Sequence, residues 1–82
     1  MPVYHFHAYD ADVAHERESY ELPDLDGART AAIAFAGRKL PALGHHLFQR
    51  DLRLEVTNDS GLVLLSIMVV GLDMTSARRH SG

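Results

Sequence analysis

Cysteine is absent from these 82 residues. Disulfides and thiolate metal sites are therefore excluded. A concentrated basic patch is missing as well. The formal net charge is −3, and residues 1–27 hold seven acids against one base, Arg17. The remaining bases are scattered, whereas nucleic-acid binding needs clustered cations to displace counterions from phosphates. No nucleic-acid partner is expected. Long apolar runs are missing too: residues 62–72 are broken by Ser66 and Gly71, and a bilayer span needs about 20 residues. No membrane association is expected. The first residues lack the basic-then-apolar pattern of a secretory signal. With the missing cysteine, this gives a cytoplasmic expectation. The glycines are isolated, so no phosphate-cradling loop is present. Ser19, Ser60, Ser66 and Ser76 lack the strand–Gly-x-Ser-x-Gly–helix context of a nucleophile. Catalysis and cofactors are not expected, and the chain reads as non-enzymatic. No repeat or low-complexity segment occurs.

A chain of this length makes one domain with a small core, burying about 60% of its unfolded surface. Such domains lean on disulfides, metals or partners. With cysteine gone, self-association, a protein partner or a histidine/carboxylate metal site remains. A content of 46% hydrophobic and 23% charged residues fits a packed globule rather than a disordered chain.

Residues 3–9 read as a strand rich in β-branched and aromatic side chains. Tyr4, Phe6 and Ala8 share one face, and Val3, His5, His7 and Tyr9 the other. The first set is uniformly apolar and marks the core side. Residues 10–17 are polar without period and read as a loop. Residues 18–22 read as a short second strand. Pro23-Asp24 then marks a boundary, with Asp24 suited to cap a helix and Asp26 to face its positive end. The helix is expected from Leu25 to about Lys39. Its apolar arc holds Leu25, Ala28, Ala32, Ile33, Phe35, Ala36 and Leu40. The alanines imply close approach to a sheet. Pro41 disfavours helical geometry at Leu40, so an end or a kink is expected there. Residues 41–50 have no legible pattern beyond a possible helical turn opened by Pro41.

The clearest alternation lies in residues 51–57, where Leu52, Leu54 and Val56 alternate with Asp51, Arg53, Glu55 and Thr57. Residues 58–61 form a turn, with Gly61 in its left-handed position. Residues 62–70 form the last strand. The expected architecture is an α+β domain over residues 1–72, ββαββ, with one helix packed on a four-stranded, mainly antiparallel sheet. Residues 73–82 read as a flexible C-terminal tail.

If residues 58–61 are the turn, Thr57 faces Leu62. Val56 then faces Val63, Leu54 faces Leu65 and Leu52 faces Ile67. The opposite side of the last strand would carry Leu62, Leu64, Met68 and Val70, where a wet face should be polar. Three explanations fit. The strand is central and covered by its neighbours, residues 41–50 fold over it, or the face is a protein interface. The interface reading names Leu62, Leu64, Met68 and Val70, with a symmetric homodimer as its simplest form.

His5 and His7, alternate on a strand, are the candidates for a metal, with His15, His45, His46 or Asp10 as a third ligand. Two ligands make no complete site, and amphipathic cover beside Val3 and Tyr9 is the stronger reading of the pair. The acids at Asp10, Asp12, Glu16 and Glu18 lack EF-hand spacing and read as a solvated loop.

The pieces Met1-Pro2-x-Tyr4-x-Phe6-His7, Glu21-Leu22-Pro23-Asp24-Leu25, Ala28-Arg29 and Glu55-Val56-Thr57-Asn58-Asp59-Ser60-Gly61 carry a resemblance. Over residues 1–72 the chain resembles a family of short, uncharacterised proteobacterial proteins of the rhizobial type, built on a domain of unknown function. That family implies no activity, ligand or catalytic residue. Pro41 departs from its pattern. Leu22-Pro23-Asp24-Leu25-Asp26-Gly27 is also similar to the helix start of HicB-type antitoxin domains, which would imply an antitoxin-like fold that binds a small protein partner. The leading expectation is a protein-interaction module that self-associates as a homodimer. The alternative is a small metal- or ligand-binding protein using the His5/His7 face.

Overall fold

The computed structural model describes residues 1–10 and 13–75, including every side chain except those of residues 13–16. The alternation at the chain's beginning becomes strand β1, Val3–Asp10, which pairs antiparallel with β2, Val13–Glu21. The backbone N–H of Leu22 closes the hairpin onto the Pro2 carbonyl at 3.1 Å. Here the expected long loop is corrected. Most of residues 10–17 belong to the strands, and a bulge lies between Ala8 and Tyr9. The segment looked loop-like because β2 is an edge strand, and charge is a common feature of exposed edges.

Helix α1, Leu25–Leu43, starts where expected. Asp24 is extended, and its carboxylate accepts the Gly27 N–H at 2.8 Å. The expected end near Lys39 is overturned, because Pro41 lies inside the helix. A proline there costs one N–H bond and crowds the carbonyl four residues back. That residue is Gly37, with open space where a side chain would stand. The helix ends instead at Gly44, whose left-handed φ of 57° suits glycine and whose N–H donates to the Leu40 carbonyl. A 3-10 turn, Gly44–Phe48, follows.

Strands β3, Leu52–Thr57, and β4, Val63–Val69, form the second hairpin. The sheet order is β2-β1-β3-β4, with every neighbour antiparallel. The ββαββ architecture is therefore as expected. Gly61 takes a positive φ of 84°, and the Asn58 side-chain oxygen accepts the N–H groups of Ser60 and Leu62, each at 3.0 Å.

The hairpin register differs from expectation by two residues. Asn58 pairs with Leu62. Thr57 faces Val63, but Val56 faces Leu65, Leu54 faces Ile67 and Leu52 faces Val69. A bulge makes Leu64 the extra residue. It turns Leu64 toward the core and leaves Val63 on the open face beside Thr57. The expected outward position of Leu64 is thus corrected.

α1 covers one face of the sheet. Ala28, Ala32, Phe35 and Ala36 lie against Tyr4, Phe6, Ala8, Leu54 and Val56, all buried. Phe6 stands 5.8 Å from Phe35 and 5.5 Å from Tyr20 by ring centroids. The alanines bring the helix close, so two aromatic rings fill what remains. Ile33, placed in the apolar arc from sequence, is 68% exposed instead. Arg38 and Lys39 reach from α1 to Glu18 on β2, at 3.0 and 3.7 Å. The Tyr20 hydroxyl also donates to Glu18. That hydrogen bond, followed by Arg38 and Lys39, holds the Glu18 carboxyl below its ordinary range against the opposing effect of burial. Of the tail expected at residues 73–82, residues 76–82 lie outside the described residues.

Candidate functional site

The two sides of the open sheet face differ in chemistry. β1 and β3 present His5, His7, Tyr9, Arg53, Glu55 and Thr57 there, and β2 adds Arg17 and Ser19 through the register His7↔Arg17 and His5↔Ser19. Of these, His5, His7, Tyr9, Arg17, Glu55 and Thr57 line an open cleft of about 330 Å³ that the Asn58–Gly61 turn borders.

His5 is its hub. Nδ1 lies 2.7 Å from Ser19 Oγ and 3.2 Å from an Arg17 nitrogen, and Nε2 lies 2.8 Å from Asp59 Oδ1. Arginine can only donate, so Nδ1 is the acceptor in that contact. The network thus assigns the proton to Nε2, which donates to Asp59. The result is a hydroxyl–imidazole–carboxylate chain. Such a chain activates a hydroxyl where the serine is presented on a sharp turn. Ser19 instead lies within an extended edge strand, and Asp59 on an exposed turn. The chain's evident effect is mechanical: it fastens β2, β1 and the β3–β4 turn together.

His7 Nε2 is 3.1 Å from Thr57 Oγ1. Burial, then the electrostatic influence of Arg17 and of the neighbouring His5, hold the His7 pKa below its ordinary 6.5, with Glu55 opposing. The unfolded chain therefore binds this proton more readily than the folded one. Stability is full above about pH 6.5 and falls as pH drops toward the folded-state value. The urea midpoint should decrease between about pH 7.5 and 5.5, and His7→Gln should flatten that decrease. An unchanged slope in the variant would contradict this.

Among the described residues, no three histidines or carboxylates converge as a metal would require. Asp10 cannot complete a set with His5 and His7. It sits on the helix side of the sheet, buried, with Arg50 at 3.5 Å. His45 and His46 lie in the 3-10 turn, their rings 4.7 Å apart and exposed. The side chain of His15 lies outside the described residues.

β4 is the second candidate surface. It is an edge strand, which removes the expectation that neighbours cover it. The 3-10 turn does not cover it either. It packs at the strand's far end, where a Cβ on Gly71 would meet Leu47 O and Phe48 Cδ1, each at 3.0 Å. Of the four residues singled out from sequence, Leu62, Met68 and Val70 are exposed, the last two at 61% and 50%. Leu64 is the fourth, and it packs inward. Sequence reasoning missed two parts of this surface. One is Val63, brought outward by the bulge. The other is a groove of about 390 Å³ between α1 and β4, lined by Arg29, Ala32, Ile33, Leu65, Ser66 and Ile67. The signal for the groove was Ile33, an isoleucine at the margin of the apolar arc.

Among the described residues, no helix is long and apolar enough to cross a membrane. No curated protein and no solved structure matches the chain. One family model matches residues 3–70, nearly the whole of the fold described above, and the chain belongs to that family, DUF6894, a domain of unknown function.

Proposed function

We propose that this domain is a protein-interaction module that self-associates through the surface around β4. One observation carries the reading. Five of the ten exposed large apolar side chains among the described residues lie on or beside β4: Leu62, Val63, Met68 and Val70 on the strand and its flanks, with Ile33 across the groove on the helix side. Beside them the open face carries polar groups, His5, His7, Arg53, Glu55 and Thr57. Apolar surface exposed along a sheet edge marks interaction sites, and a domain with so small a core gains stability by covering it. The His5/His7 cleft serves the fold through its cross-strand hydrogen bonds and calls for no catalytic step.

Sedimentation equilibrium across a concentration series tests the proposal. The expected result is a monomer–dimer equilibrium reaching mostly dimer at high micromolar concentration. A mass that stays monomeric throughout would overturn it.

A further inference from the structure

The sheet has two free edges, and they are built differently. The β2 edge carries Arg17, Glu18 and Glu21, and Arg38 and Lys39 lean over it from α1. Charge of this kind blocks strand addition. The β4 edge, Val63-Leu64-Leu65-Ser66-Ile67-Met68-Val69, has neither charge nor proline. Its bulge is confined to the beginning of the strand, so residues 65–69 pair regularly with β3 and present an unbroken outer edge.

We infer that residues 65–69 of β4 pair antiparallel with the same residues of a second copy, about a twofold axis at Ile67. The inference rests on the self-association proposed above and specifies its geometry. The segment is self-complementary about that axis. Leu65 faces Val69 of the second copy and Ile67 faces Ile67, all on the helix side. Ser66 faces Met68 on the open side, a small side chain against a long one. No like charges meet along the strands. Arg29, at the groove's rim, is already paired with Asp26. The grooves of the two copies then adjoin, and Ile33 of each is brought toward the new strand pair. Because the β2 edge is blocked, association closes at two copies and gives an eight-stranded sheet rather than a fibre.

The natural absence of cysteine makes the register directly readable. Ser66→Cys and Met68→Cys are prepared separately, and circular dichroism confirms that both exposed substitutions leave the fold intact. In the proposed pairing, position 66 lies opposite position 68 of the second copy, with Cα atoms about 4.5–5.5 Å apart, within disulfide reach. Two copies of position 66 stand diagonal, at about 8 Å, beyond it. Mixing the two variants under mild oxidation should give the mixed disulfide, while each alone stays largely uncross-linked. If sedimentation shows a dimer but the mixed disulfide gains no preference, the edge pairing is overturned and self-association stands. A wild-type monomer at high micromolar concentration overturns both.

Discussion

Phe35→Ala should bring the domain to the edge of unfolding at room temperature. The ring is 1% exposed and stacks near Phe6 at the centre of the helix–sheet contact. The surrounding helical residues are alanines, which have no spare length to fill the vacancy. Phenylalanine-to-alanine changes in such positions cost about 3–5 kcal/mol. A domain of this size holds total stability on the order of 5 kcal/mol, so one ring is most of the margin. The ring also underlies Lys39 and Arg38, at 5.1 and 5.6 Å from its centre, which tie α1 to β2. A urea titration followed by circular dichroism measures the loss. A midpoint near wild type would show that the core is centred elsewhere. Phe35→Leu should recover most of the lost stability, because the volume is largely restored.

Leu64→Asp and Met68→Asp should separate folding from association, although both put a carboxylate on the same strand. Leu64 packs against the core. A carboxylate there loses apolar contacts and is partly desolvated against the core, costing roughly 2–5 kcal/mol. The expected result is loss of the fold. Met68 is exposed and lies opposite Arg53 on the open face, where an aspartate is readily solvated. The monomer should keep its wild-type urea midpoint, while the dimer dissociation constant rises at least about tenfold, or about 1.4 kcal/mol. Sedimentation and urea titration on the same samples distinguish the two effects. Equal behaviour of the two variants would contradict the bulge that turns Leu64 inward.

The contrast between these two residues shows where sequence is informative. β1 and β3 each have one buried face and one wetter one, so strict alternation of Tyr4, Phe6 and Ala8, and of Leu52, Leu54 and Val56, made them legible. Asp24 and Gly61 were legible because the chemistry of a helix cap and of a left-handed turn position restricts residue choice locally. β2 was only half visible, since an edge strand has little reason to alternate. Pro41 is misleading on its own because the carbonyl it crowds belongs to Gly37, four residues back. The register of β4 was missed because one extra residue changes which side chains face inward, and a bulge leaves no mark in an apolar run. His5 and His7 could be put on one face from their spacing. Ser19, Thr57 and Asp59 could not be added to them, because those partners are set by pairing across strands rather than along one.

The strand order has a consequence for how the chain comes off the ribosome. The two central strands are β1 and β3, separated by the whole of β2 and α1, and His5 bonds to a residue 54 positions later. Until Leu52, Leu54 and Val56 emerge, the helix has only half a sheet to rest on, and Phe6 and Phe35 lack the side chains that enclose them. A nascent chain that has produced α1 has made only β1, β2 and the helix, and little of its stability. The sheet cannot be completed until the second hairpin is available to pair with β1. Loop-closure entropy makes such long-range pairing slow. The apolar segment 62–70 thus carries the last strand of the sheet to emerge and, being uncharged, is open to neighbouring chains while that pairing is pending.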